Sequence, residues 1–134
     1  LCDLDTLQAI ITHRYDVMTR FMRSVREDSA AEIARLKAGA KLPPNWNFNS
    51  FRRWLNKEPA ELAAADKAEL DTLLGQSERL QTVYRMRQEL AAIWSRSTAS
   101  REQLLEQLQG WCKHAEDSGI QSLKDFSVRL RRYA

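Results

Sequence analysis

Residues that break helices are few and far apart in this chain. There are four glycines and three prolines in 134 residues, and helix formers dominate the stretches between them, so the breakers mark out the elements. No stretch alternates apolar and polar residues over five or more pairs, which leaves no strand, and nothing repeats at a fixed period. The expected fold is all-α: a helical bundle with a long N-terminal helix and a short Pro-containing linker.

The first helix is expected from Leu4 to Ala38, capped by Asp3 or Asp5 and ended by Gly39. At 1.5 Å per residue it would reach about 50 Å. Leu4, Ile11, Met18 and Val25 follow one another at intervals of seven, with Leu7 and Phe21 three residues after the first and third of them, as in a coiled-coil seam. Arg14 and Asp28 interrupt the second row. A strip of that length is more than a small bundle covers, so these six apolar residues are the expected interface with a second copy or a partner helix. In an antiparallel pair, Arg14 of one chain would meet Asp28 of the other.

Residues 40–134 read as a helical bundle forming one domain with the first helix (residues 1–39). Ala40 to Asn47 is the linker, carrying Pro43-Pro44, with Trp46 clasped onto the body. A short helix from Ser50 to Asn56 takes Asn49 as its cap and Phe48 as its hydrophobic staple. Pro59 opens a further segment that restarts at Asp66-Lys67-Ala68-Glu69 and stops at Gly75. Ser77 caps a helix running to about Arg96. Ser100-Arg101-Glu102-Gln103 is a capping box for the next helix, which stops at Gly119, and Ser122 caps the last, with Leu123, Phe126, Leu130 and Tyr133 on one stripe. Trp54, Trp94 and Trp111 read as core. Gly110 lies inside a helix, where close approach of a neighbouring backbone would explain it.

The chemistry-bearing residues exclude more than they suggest. Phosphate-binding and nucleophile motifs are absent. The two cysteines, Cys2 and Cys112, are too few for a disulfide scaffold and read as reduced thiols. Cys112 and His114 point to different faces of a helix, and no zinc spacing exists, so no metal or cofactor is expected in this segment. Glu27-Asp28 and Glu116-Asp117 are sequence neighbours that diverge on a helix and read as surface. No small-molecule substrate is evident. The longest run without Asp, Glu, Lys or Arg is Leu42 to Phe51, half of a bilayer span, and no secretory signal opens the chain. The absence of an initial Met suggests a piece of a larger protein.

The net charge is +3, but it is uneven. Residues 1–57 hold ten Lys/Arg against six Asp/Glu, residues 58–97 five against seven, and residues 98–134 six against five. Arg20, Arg23 and Arg26 recur every third residue. Arg52 and Arg53, with Arg129, Arg131 and Arg132, form the candidate phosphate-binding patch, for a membrane surface or for weak contact with nucleic acid. A solvated face is the plain alternative.

One family resemblance runs through most of the chain. Leu80-Gln81-Thr82-Val83-Tyr84, Arg87, Leu90, Ile93-Trp94, Leu108, Trp111-Cys112, Ala115-Glu116, Ser118-Gly119-Ile120, Leu123, Phe126 and Leu130 resemble the C-terminal extension of bacterial membrane fatty acid desaturases. His13-Arg14-Tyr15-Asp16-Val17-Met18 and Arg53-Trp54-Leu55 are similar to it too. That resemblance implies a non-catalytic accessory domain in lipid metabolism, cytoplasmic and attached to the inner membrane through an upstream part. The iron-dependent chemistry of the parent enzyme, which needs about eight His, would then lie before Leu1. The late pattern is also similar to the helical region ahead of the last catalytic acid in DDE-class insertion-sequence transposases, which implies nucleic-acid binding or oligomerisation instead. The Ser-Asn-Gly and Glu-Gly-X-Asn stretch that follows in those enzymes does not follow here, and the chain ends at Arg131-Arg132-Tyr133-Ala134.

Overall fold

The structure is a computed structural model and describes residues 2–95 and 98–134. Among them are seven α-helices and one 3-10 turn, with no strand: α1 (Leu4–Thr12), α2 (Arg14–Ala38), α3 (Phe48–Leu55), the 3-10 turn (Pro59–Glu61), α4 (Ala64–Gly75), α5 (Glu78–Ser95), α6 (Arg101–Asp117) and α7 (Gln121–Leu130). The all-α expectation holds. The expected end of the fifth helix at Arg96 lies outside the described residues.

The single long N-terminal helix is corrected to two. α1 closes at His13, whose backbone leaves helical geometry (φ −109°, ψ 34°). The chain continues as α2 with His13 carbonyl accepting from Val17 N–H. The break follows Ile10-Ile11-Thr12, a β-branched run that a helix tolerates poorly. The buried positions then change spacing. Leu7 and Ile10 are buried on α1, and Val17, Phe21, Val25, Ser29 and Ile33 on α2. Steps of four overshoot a full turn by about 40°, so the buried stripe winds around α2 instead of following the seven-residue row.

The chain forms two compact units, Leu1–Ser24 with Met86–Ala134, and Val25–Arg85. In the first, α6 packs on α7 and α1 packs on α6. Its centre is an aromatic triad. Phe21 meets Phe126 edge-on at 5.3 Å and Trp111 at 6.3 Å, and Trp111 meets Phe126 at 5.8 Å. Each such pair adds about 0.5–1.5 kcal/mol beyond area burial. The buried indole is satisfied, since Trp111 Nε1 donates to Met86 carbonyl at 2.8 Å. Ser127 Oγ donates to Glu116 Oε2 at 2.6 Å, and Arg131 clamps the same carboxylate from Nε (2.7 Å) and Nη2 (3.2 Å), tying α7 to α6.

In the second unit, α3 packs on α4, and Phe51, Trp54, Leu55, Leu70 and Leu73 are buried. Trp46 is clasped as expected, its ring 5.8 Å from Trp54. Asp28 and Glu32, one turn apart on α2, meet the start of α5. Both Asp28 oxygens accept from Arg79 Nη1, and Glu32 accepts from Ser77 Oγ. Ser77 Oγ in turn accepts from Leu80 N–H as the expected cap. A carboxylate beside the α5 N-terminus also suits the helix dipole.

Several cap expectations are corrected. Asn47 caps α3, not Asn49, and Phe48 is its first residue. Neither Asp66 nor Ser122 caps: α4 and α7 start after Ala63 and Ile120, which make no side-chain cap bond. The Ser100–Gln103 capping box is present in both directions. No neighbouring backbone approaches Gly110, where an added Cβ would meet nothing within 4 Å.

Candidate anion-binding cleft

The first unit carries an indentation of about 360 Å³ between α2 and α7. It is lined by Val17, Arg20, Arg23 and Ser24 from α2 and by Phe126, Arg129, Leu130 and Tyr133 from α7 and the segment beyond it. The local sequence explains the placement. Arg20 and Arg23 are three apart and so neighbours on one helix face, flanking the buried Phe21. On α7, Phe126 and Leu130 point inward, which leaves Arg129 at the rim, and two further backbone turns carry the chain to Tyr133.

The side chains are held in place. Arg129 Nη2 donates to Ser24 Oγ at 2.7 Å. Asp16 Oδ2 accepts from both Tyr133 OH (2.7 Å) and Arg20 Nε (2.8 Å). The Arg20 guanidinium lies 5.3 Å from the centre of the Tyr133 ring. The Tyr133 hydrogen bond and then Arg20 hold the Asp16 carboxyl below the usual carboxylate range, while burial and the bond to Asp16 push the Tyr133 phenol up. Arg23 is exposed and makes no ion pair among the described residues. Three guanidiniums thus line the cleft, one of them paired with Asp16, and the lining itself contains no carboxylate. The surplus of positive charge favours an anion.

The candidate basic patch is only partly brought together. Arg129 lies in the cleft and Arg132 is exposed beyond it, but Arg131 turns to Glu116 and is neutralised there. Arg52 and Arg53 are exposed on α3 in the other unit. Arg20 and Arg23, outside the patch read from sequence, are the cleft's other cations. Their three-residue spacing was the signal, but their meeting with Arg129 depends on how α7 packs. Arg26, the third of that series, reaches over Phe48 at 6.0 Å.

The expected seam on the first helix is corrected for half its members. Leu7, Phe21 and Val25 are fully buried in the chain's own core and cannot face a partner. Leu4 is 42 % exposed, and Ile11 and Met18 are half-buried. Asp28 is held by Arg79, and Arg14 bonds the Ile11 carbonyl and lies over Tyr15, so each has a partner within the chain.

No three His, Cys, Asp or Glu side chains among the described residues gather closely enough to hold a metal ion. No described helix is long and apolar enough to cross a membrane. Cys112 is buried, which pushes its thiol up to about 11, against the reactivity a nucleophile needs.

Comparison with known proteins settles which of the two resemblances is the better. Residues 9–134 match a family model described as transposase, of the DDE class and ISL3 type. Neither curated proteins nor solved structures give a match. The desaturase resemblance is thereby corrected. It rested on apolar positions that pack helices together, such as Leu108, Trp111, Leu123 and Phe126, and unrelated helical domains share such spacing. With the family model covering nearly the whole chain, the protein belongs to the DDE transposase family of the ISL3 type.

Proposed function

We propose that this helical segment binds DNA through its phosphate backbone, with Arg20, Arg23 and Arg129 as the contacting cations, and that it works in the cytoplasm as a positioning part of a transposase. The observation that carries the reading is the convergence of three guanidiniums from two helices on one cleft, in a chain whose family moves DNA. Guanidinium forks match phosphate oxygens in pairs, and such contacts give affinity without base sequence. The segment contributes no catalytic acid in this reading. It holds the substrate for chemistry carried by other parts of a transposase.

With a net charge of only +3, binding is weak and salt-sensitive, and it fades steeply between about 50 and 200 mM salt. Arg23→Glu tests the contact with little risk to the fold, because that side chain is exposed. Duplex affinity at 50 mM salt is expected to fall about tenfold by fluorescence anisotropy. Unchanged affinity in a variant with wild-type circular dichroism would overturn the proposal.

A further inference from the structure

Both cysteines lie in the first unit, and neither lines the cleft. Both are free, and the packing of α1 on α6 brings them to one place. Cys2 stands just before Asp3, the cap of α1, and its carbonyl accepts from Gln109 Nε2 of α6 at 3.1 Å. Gln109 and Cys112 are three residues apart on α6, so they are neighbours on one face. Arg131 joins the group from the end of α7, fixed by its two bonds to Glu116, one turn beyond Cys112. Its charge reaches both thiols and favours the thiolate of each, and Cys2 is near enough to Cys112 to oppose a second ionisation.

The two thiols differ in access. Cys2 is half-buried and Cys112 is fully buried. A dissolved oxidant therefore meets Cys2 first. Cys112, whose thiol burial pushes up to about 11, is shielded from solvent and has only a sulfur held beside it to attack. Cys2 lies outside any helix, so its backbone can adjust to the narrow geometry of a disulfide.

We infer that Cys2 and Cys112 form a reversible redox latch, a disulfide that staples the start of α1 to α6 under oxidising conditions and opens under reducing ones. The oxidant is a low-molecular-weight disulfide such as oxidised glutathione. The Cys2 thiolate, its proton gone to water, attacks one sulfur of that disulfide and releases one glutathione thiolate, which leaves Cys2 in a mixed disulfide. Cys112 then loses its proton and attacks the Cys2 sulfur. The second glutathione leaves as a thiolate, and both glutathione thiolates take up protons. Two protein thiols are oxidised, and one glutathione disulfide is reduced to two thiols. The new bond closes a loop of about 110 residues, so it restricts the unfolded chain strongly.

Treating the full chain with oxidised glutathione without denaturant, blocking the remaining thiols and mapping peptides by mass spectrometry tests this. The wild type is expected to yield Cys2 and Cys112 linked in one chain, with no glutathione retained. Cys2→Ser is expected to leave Cys112 unmodified. The oxidised wild type is expected to unfold at a urea midpoint higher by about 1 M or more, and dithiothreitol to reverse the rise. A glutathione adduct that persists on Cys2, a disulfide only between two copies, or thiols that remain free would overturn the latch. So would a linked pair with an unchanged or lowered midpoint, because the staple would then not fit the native packing of α1 on α6. Glutathione on Cys112 in Cys2→Ser would overturn the assigned order of attack.

Discussion

Ala40 holds a backbone conformation that suits another residue better. Its φ is 58°, in the left-handed region where a Cβ is costly and glycine is at ease. The bonds around it explain why. Lys41 N–H donates to Leu36 carbonyl at 2.8 Å and Ala40 N–H to Lys37 carbonyl at 3.0 Å, the paired closure of a Schellman motif at the end of α2. Glycine precedes this position instead of occupying it, so Gly39, the expected stop, does not supply the left-handed turn. An added Cβ at Gly39 would meet Arg35 carbonyl at an ordinary 3.6 Å. Ala40→Gly is therefore expected to stabilise the protein by about 1 kcal/mol, seen as a higher urea midpoint with an unchanged slope. A lower midpoint would show that the strain is absent.

At the scale of the elements, burial decides between Met18 and Phe21, which the expected coiled-coil seam treats alike. Phe21 is enclosed by Trp111 and Phe126, and placing a carboxylate there strands a charge in a dry site. Phe21→Glu is expected to unfold the first unit, with loss of near-ultraviolet circular dichroism. Met18→Glu, on a half-buried position, is expected to keep it. An equal loss in both variants would restore the row as a continuous packed seam. The same pair shows what the sequence made legible. Helix existence followed from the scarcity of breakers. The caps at Ser77 and Ser100 followed from side chains that bond their own backbone two or three residues on, a local matter. Asn47 was missed because Asn49 offers the same chemistry two residues later, and only the path of the linker selects between them. The seven-residue row of Leu4, Ile11, Met18 and Val25 was a true pattern but not the buried one, because the break at His13 resets the phase. In the cleft, Arg20 and Arg23 were visible as a series and Arg129 as part of a cluster. Their meeting, and the diversion of Arg131 to Glu116, needed the packing of α7 on α6.

Across the whole molecule, the depressed carboxyls set the acid limit of stability. Arg131 and then Ser127 hold Glu116 below its ordinary value, Arg35 and then Ser77 do so for Glu32, and Tyr133 and then Arg20 for Asp16. A carboxyl lowered in the folded state contributes stability that is present above its unfolded value, near about 4. That stability is lost as pH falls through the lower folded value. Thermal midpoints are thus expected to hold steady from neutral pH down to about 5 and to fall below about 4, and Glu116→Gln to flatten part of that fall. An acid limb identical to wild type in this variant would remove Glu116 from the explanation. The cleft carries the central claim, and the salt dependence of duplex binding tests it most directly. Each phosphate neutralised adds about 0.9 to the negative slope of log K against log salt. The Arg23→Glu, Arg129→Glu double variant is expected to have a slope shallower than wild type by about two. Parallel slopes for the two proteins would contradict the assignment of phosphate contact to this cleft.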